Sequence, residues 1–264
     1  HDQLATLPTK NLAAYDAYLL GKQRLAKMTS VTLAEAVDYF QQAVDLDPNF
    51  ALAYVGLAWT YIHQGDYSGL PLDEMLARAQ AAINKALELD DRLGQAHNAL
   101  GEIKFYRDEF AAAEAAFQRG LELSPNSSRS HLVFGVFLAD MAVARYEEAL
   151  ASFERALELD PLSLFTITWI GDVLNRMGRF DESLVWLEKG LEIDPDFAWS
   201  YLDIGFHHWV VSGRLDEAVV WTTKALALDP ENTNILYLLG TLLLDLGDPD
   251  QAESWVVRSI ELGP

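Results

Sequence analysis

Seven times along the chain, a helix-length stretch ends on an acidic or small residue and then, in six cases, a proline. The closing residues are Pro48, Asp91, Pro125, Pro161, Pro195, Pro230 and Pro264, preceded by Asp47, Asp90, Ser124, Asp160, Asp194, Asp229 and Gly263. They lie 43, 34, 36, 34, 35 and 34 residues apart. A period near 34 is the mark of stacked helical repeats, each too small to bury its apolar face alone. It argues for one elongated array rather than one or two globular domains, and for a surface that binds rather than a site that reacts.

Within each repeat the pattern resolves into two helices. The first carries a small residue at Gly21, Ala58, Gly101, Gly135, Gly171, Gly205 and Gly240, each preceded by a large apolar one. A missing side chain there lets a neighbouring helix approach closely. The second helix carries small–large pairs four apart: Ala36/Phe40, Ala79/Ile83, Ala113/Phe117, Ala149/Phe153, Ser183/Leu187, Ala218/Thr222 and Ala252/Val256. Thr222 departs from the pattern, and Trp221 beside it is expected to take over the packing. The closing proline has no N–H to continue a helix, and Asn49, Asn126 and Asp196 are placed to cap the next one. Gly178, Gly213 and Gly247 are placed for the turns inside the last three repeats.

These residues match the W-x₂-L-G-x₂-Y…A-x₃-F…P pattern, so the chain resembles a tetratricopeptide-repeat (TPR) protein over about residues 11–264. The resemblance implies an all-α, right-handed superhelical solenoid of seven helix–turn–helix units, at 11–48, 49–91, 92–125, 126–161, 162–195, 196–230 and 231–264. Residues 1–10 are read as a leader or remnant, within a piece of something longer.

Composition narrows the function. Lysine and arginine total 19 against 40 aspartates and glutamates, a net charge of −21. Such a surface repels phosphate backbones and anionic membranes, so neither nucleic acid nor membrane is expected as a partner. The chain has no cysteine, which excludes disulfides, thiolate metal sites and cysteine nucleophiles but does not decide between cytoplasm and periplasm. Cytoplasmic placement is the expectation, with periplasmic as the alternative. The longest apolar run, 235–244, is too short to span a bilayer.

No phosphate cradle, metal-binding helix pair, calcium loop or nucleophile elbow appears, so neither enzymatic activity nor a cofactor is expected. His97 and His131 sit at the bulky first-helix position and read as packing. Adjacent His207 and His208 point about 100° apart on a helix and suit no shared metal. The acidic pairs Asp73/Glu74, Glu147/Glu148, Asp181/Glu182 and Asp216/Glu217 complement the dipoles of the second helices.

In arrays resembling this one the first helices line an inner groove. Positions three and six before the small residue, and one and four after it, point inward on helical spacing. The resulting candidates for partner binding are Tyr15, Tyr18, Leu52, Val55, Trp59, Ile62, Asn98, Phe105, Arg129, Phe165, Trp199, Phe206, Trp209 and Tyr237. Family members that grip a peptide carboxylate use lysine, arginine and asparagine here. Only Lys22, Asn98, Arg129 and Asn175 are of that kind, and they are scattered. The groove is instead expected to take an apolar or aromatic segment, with Trp59, Trp199, Phe206 and Trp209 as an exposed patch.

Two irregularities stand out. The second repeat carries about nine extra residues near 64–73, expected to form a loop or a lip bearing Tyr67 and Leu70. The seventh repeat is apolar nearly all round its first helix, which suggests self-association or continuation of the chain.

The opening from Pro8 to Gly21, running on through Phe40 to Tyr54, also resembles the start of repeat regions in multidomain bacterial signalling proteins, where it follows a nucleotidyl cyclase or winged-helix domain. That resemblance implies a regulatory or partner-sensing scaffold. An assembly or chaperone-like adaptor of secretion or envelope machinery is the alternative, and a small-molecule-binding module a third reading.

Overall fold

A computed structural model describes residues 7–68 and 70–262, apart from the side chains of Ser30 and of 66–68. Fourteen α-helices follow one another, with no strand among the described residues. In hairpin pairs they are α1 (Leu12–Leu25) with α2 (Ser30–Leu46), α3 (Ala51–Ser68) with α4 (Leu72–Leu89), α5 (Gly94–Phe105) with α6 (Phe110–Leu123), and α7 (Ser128–Ala139) with α8 (Tyr146–Leu159). The rest are α9 (Leu164–Arg176) with α10 (Phe180–Ile193), α11 (Ala198–Val210) with α12 (Leu215–Leu228), and α13 (Thr233–Asp245) with α14 (Pro249–Leu262). These are the seven helix–turn–helix units that the repeat implies. The chain divides into two compact halves, before and after the Phe134–Gly135 junction.

The packing unit is a small residue of the first helix under a large one of the second. A Cβ on Gly101 would fall 2.8 Å from the Phe117 ring, and one on Gly171 would fall 2.5 Å from Leu187. Phe40 is pressed from two sides: a Cβ on Gly21 or on Gly56 would reach its ring at 2.9 or 2.4 Å. Phe40, Phe117 and Phe153 are buried, each contributing about 1.5–3 kcal/mol of apolar burial. Ser183 stands where other repeats have alanine, and its hydroxyl donates to the Gly171 carbonyl at 2.7 Å. At the irregular sixth repeat Thr222 itself fills the site over Gly205. Trp221 does not substitute for it, but stacks on His208.

Six of the turns inside the repeats share a left-handed residue. Gly178, Gly213 and Gly247 have φ of 74°, 62° and 82°, as the sequence predicts. Met28, Asp108 and Ala144 take the same left-handed conformation without being glycine. In three turns the N–H five residues on returns to the helix, Glu109 to Lys104, Arg179 to Leu174 and Asp248 to Leu243, which satisfies a terminal carbonyl.

Three expectations need correction. The surplus of the second repeat is not a protruding loop: it lengthens α3 and α4 to 18 residues each, against 12–14 in repeats three to seven. Leu70 packs against the core of the N-terminal half, and the Tyr67 side chain lies outside the described residues. Gly65 is helical rather than part of a loop, and the Met75 side chain lies where its Cβ would be. Asn49 and Asp196 do not cap the next helix with their side chains. Their own N–H groups donate to Asp47 and Asp194 at 3.0 and 2.9 Å, so the closing aspartate holds the turn. Asn232 and Asn11 do cap α13 and α1.

Thr9 is buried and donates to Asp47 at 2.5 Å, while Asn11 donates to the Leu46 carbonyl at 2.8 Å. The end of the leader is thus fastened to the first repeat. Among the described residues no helix is long and apolar enough to cross a membrane.

Candidate interaction face

The first helices lie side by side within each half: α1, α3 and α5 in one, and α9, α11 and α13 in the other. Residues on this row that no neighbour covers form the accessible surface of each half.

The positions picked by helical spacing behave differently from one another. Those three residues before the small one are buried in most repeats: Tyr18, Val55, Asn98, Thr168 and Leu202. They face the adjoining helices instead of solvent. Ile62 is buried as well, four residues past the small site of α3. Val55, Ile62 and Asn98 are therefore packing residues, not an open surface. Leu132 is half-buried at this position, and Tyr237 is 63% exposed. Tyr15, Leu52, Phe105, Trp199 and Trp209 are half-buried, Arg129 is accessible, and Phe165 and Phe206 are 36% and 41% exposed.

In the N-terminal half, Trp59 is only 8% exposed, so it is not part of an open patch. The Arg129 guanidinium rests 4.1 Å above its ring, a cation–π contact, and the indole Nε1 is buried without an acceptor. Arg129 reaches water, yet protein crowds it closely enough that desolvation lowers its pKa, while Glu102 works in the opposite sense. Asn98 donates to Ser130 at 2.8 Å, and its Oδ1 lies where a Cβ on Gly120 would fall. Tyr18 packs on Phe40 and Phe50, and burial, with a smaller push from Tyr15, raises its pKa to about 12. These side chains are committed to structure.

The C-terminal half presents a more open face. Phe206 meets Trp209 edge-on at 5.9 Å, and the Trp209 indole donates to Asp245 at 2.8 Å. Phe165 meets Phe197 edge-on at 5.3 Å. Carboxylates are interleaved with these rings: Asp172, bonded to Arg176 at 2.7 Å, and Asp203 on the same side of α11 as Phe206. Burial, then the neighbouring Asp172, holds the Asp203 pKa well above the usual carboxylate range. Inward positions two before the small residue did not enter the sequence reading, so Asp203 was missed. Its acidic character in an apolar helix was the available signal.

Four of the histidines make contacts within the fold. His97 and His131 donate to the carbonyls of Asp91 and Pro125, tying each first helix to the preceding turn. His207 and His208 are buried with rings edge-on at 5.8 Å, facing Asn175 and Trp221 respectively. Desolvation depresses both pKa values, so both are neutral at pH 7. No group of three metal-ligating side chains gathers among the described residues. The acidic second-helix starts are partly matched in charge, since Arg145, Arg179 and Arg214 each bridge to the glutamate three residues on.

Comparison with known proteins gives a consistent picture. Three tetratricopeptide-repeat family models match residues 212–262, residues 39–69, and residues 141–161 with 166–197. The transcriptional regulator HilA of Salmonella typhimurium is 30% identical over 146 residues, 54% of this chain but 26% of that protein. The chain thus spans about a quarter of the length of this curated relative. Among solved structures, PilW, a type IV pilus biogenesis factor, superposes with a TM-score of 0.61 at 22% identity, covering 78% of this chain and 90% of that one. Pseudomonas aeruginosa PilF gives 0.58 at 22% identity, covering 78% and 88%. With fourteen helices in hairpin pairs and the small-under-large packing, these matches identify the chain as an array of tetratricopeptide repeats.

Proposed function

We propose that the array is the partner-binding region of a bacterial regulatory protein and that it docks an apolar or aromatic segment on α9, α11 and α13. The observation that carries this reading is the exposure of Phe165, Phe206 and Tyr237 on these neighbouring first helices. Large rings left in water on one face supply the central anchors that interfaces are built on. The 30% identity to a transcriptional regulator over the shared region supports the regulatory context and a cytoplasmic setting. The pilus factors share the fold at 22% identity, which gives the adaptor alternative no separate support.

An arrayed library of short peptides, scored by fluorescence anisotropy, tests the reading. Peptides rich in leucine and aromatic residues should bind, and the Phe206→Ala/Tyr237→Ala variant should lose that binding while keeping its helical circular dichroism. Both positions are exposed, so the fold does not depend on them. Undiminished binding by the double variant would contradict the assignment.

A further inference from the structure

Among the described residues Asp203, in the C-terminal half, makes no ion pair. Asp203 lies on α11 between Trp199, four residues before, and Phe206, three after, and this spacing puts all three on one helical face. The neighbouring charge it feels is another carboxylate, Asp172, which is itself committed to Arg176. Cations elsewhere in this half have partners of their own. Arg145, Arg179 and Arg214 hold glutamates, and Lys189 and Lys224 sit over Trp186 and Trp221 at 4.4 and 4.1 Å. Asp203 is half-buried, so its charge is partly stripped of water while still reachable from outside.

The rings beside it favour the same kind of visitor. Aromatic faces attract cations, and Phe206 is 41% exposed. A lysine or arginine can lay its methylene stem along such rings and place its head on a carboxylate. A segment carrying glutamate would instead meet Asp172 and Asp203 in a chain of net charge −21.

We infer that the α9–α11–α13 face selects segments in which a lysine or arginine is flanked by apolar residues, the cation seating on Asp203 between Trp199 and Phe206. This selectivity rests on the docking reading above and adds the charge of the partner to it.

Short fluorescein-labelled peptides that share their leucine and phenylalanine positions and differ at one central residue, lysine, glutamine or glutamate, provide the test. The lysine peptide should bind wild-type protein about tenfold more tightly than the glutamine peptide, with glutamate weakest. Asp203→Asn, nearly isosteric and relieved of a repelled charge, should melt no lower than wild type and bring the lysine-to-glutamine ratio close to one. Phe206→Ala should weaken all three peptides. Equal binding of the lysine and glutamine peptides to wild type, or a lysine preference that survives Asp203→Asn, would overturn the inference alone. Failure of every peptide to bind would overturn it together with the docking reading.

Discussion

At the scale of single residues, the array is held by side chains with nowhere to retreat. Phe40 lies between Gly21 and Gly56, so a methyl at either site drives into its ring. Gly56→Ala should cost about 1–2 kcal/mol net, overpacking outweighing the gain in helix propensity, as a denaturant midpoint would show. Thr222 gives the opposite case. Its Oγ1 is buried over Gly205 without a hydrogen-bond partner, and valine has the same shape without the hydroxyl. Thr222→Val should therefore stabilise by about 1 kcal/mol in the same measurement. His207 and His208 add a pH dependence. Their folded pKa values lie below the unfolded 6.5, despite the opposing carboxylates Asp181, Glu188 and Glu217. As pH falls through 6.5 the unfolded chain takes up protons first, so stability present at pH 7.5 should decline toward pH 5.5. Replacing both with glutamine should flatten that slope. The small-over-large register was legible in the sequence because few residues satisfy it. The burial of Val55, Asn98 and Leu202 was not, because helical spacing gives a direction but not which neighbouring helix lies along it.

At the scale of elements, the hairpin turns carry visible strain. Ala144 holds φ of 51° where three other repeats use glycine, a conformation costing an L-residue about 1–2 kcal/mol. Ala144→Gly should raise stability by about 1 kcal/mol, read as a higher melting temperature, whereas Gly213→Ala should lower it by a similar amount. The glycine turns could be read from sequence; Met28 and Ala144 could not, since nothing in their type asks for a positive φ, and Asp108 tolerates one without requiring it. The second repeat teaches a related lesson. A count of residues locates its surplus, but not that Gly65 lies within α3 beneath the Met75 side chain. An insertion of helix-compatible residues can extend two helices as readily as open a loop between them.

At the scale of the whole molecule, acidity and exposed rings act together. Forty acidic residues against 19 basic ones give a net charge of −21, while Phe165, Phe206 and Tyr237 on α9, α11 and α13 stay exposed. We also propose a weaker contact through α14, where Val257 and Ile260 are 44% and 68% exposed. Sedimentation velocity should show an s-value rising with concentration, and Ile260→Lys should abolish the rise; a concentration-independent wild type would contradict this contact. The central claim, that partners dock on the first helices of the C-terminal half, is tested most directly by hydrogen exchange. With the tightest-binding library peptide present, exchange should slow in α9, α11 and α13 and remain unchanged in α10, α12 and α14. Protection confined to the second helices would contradict the account.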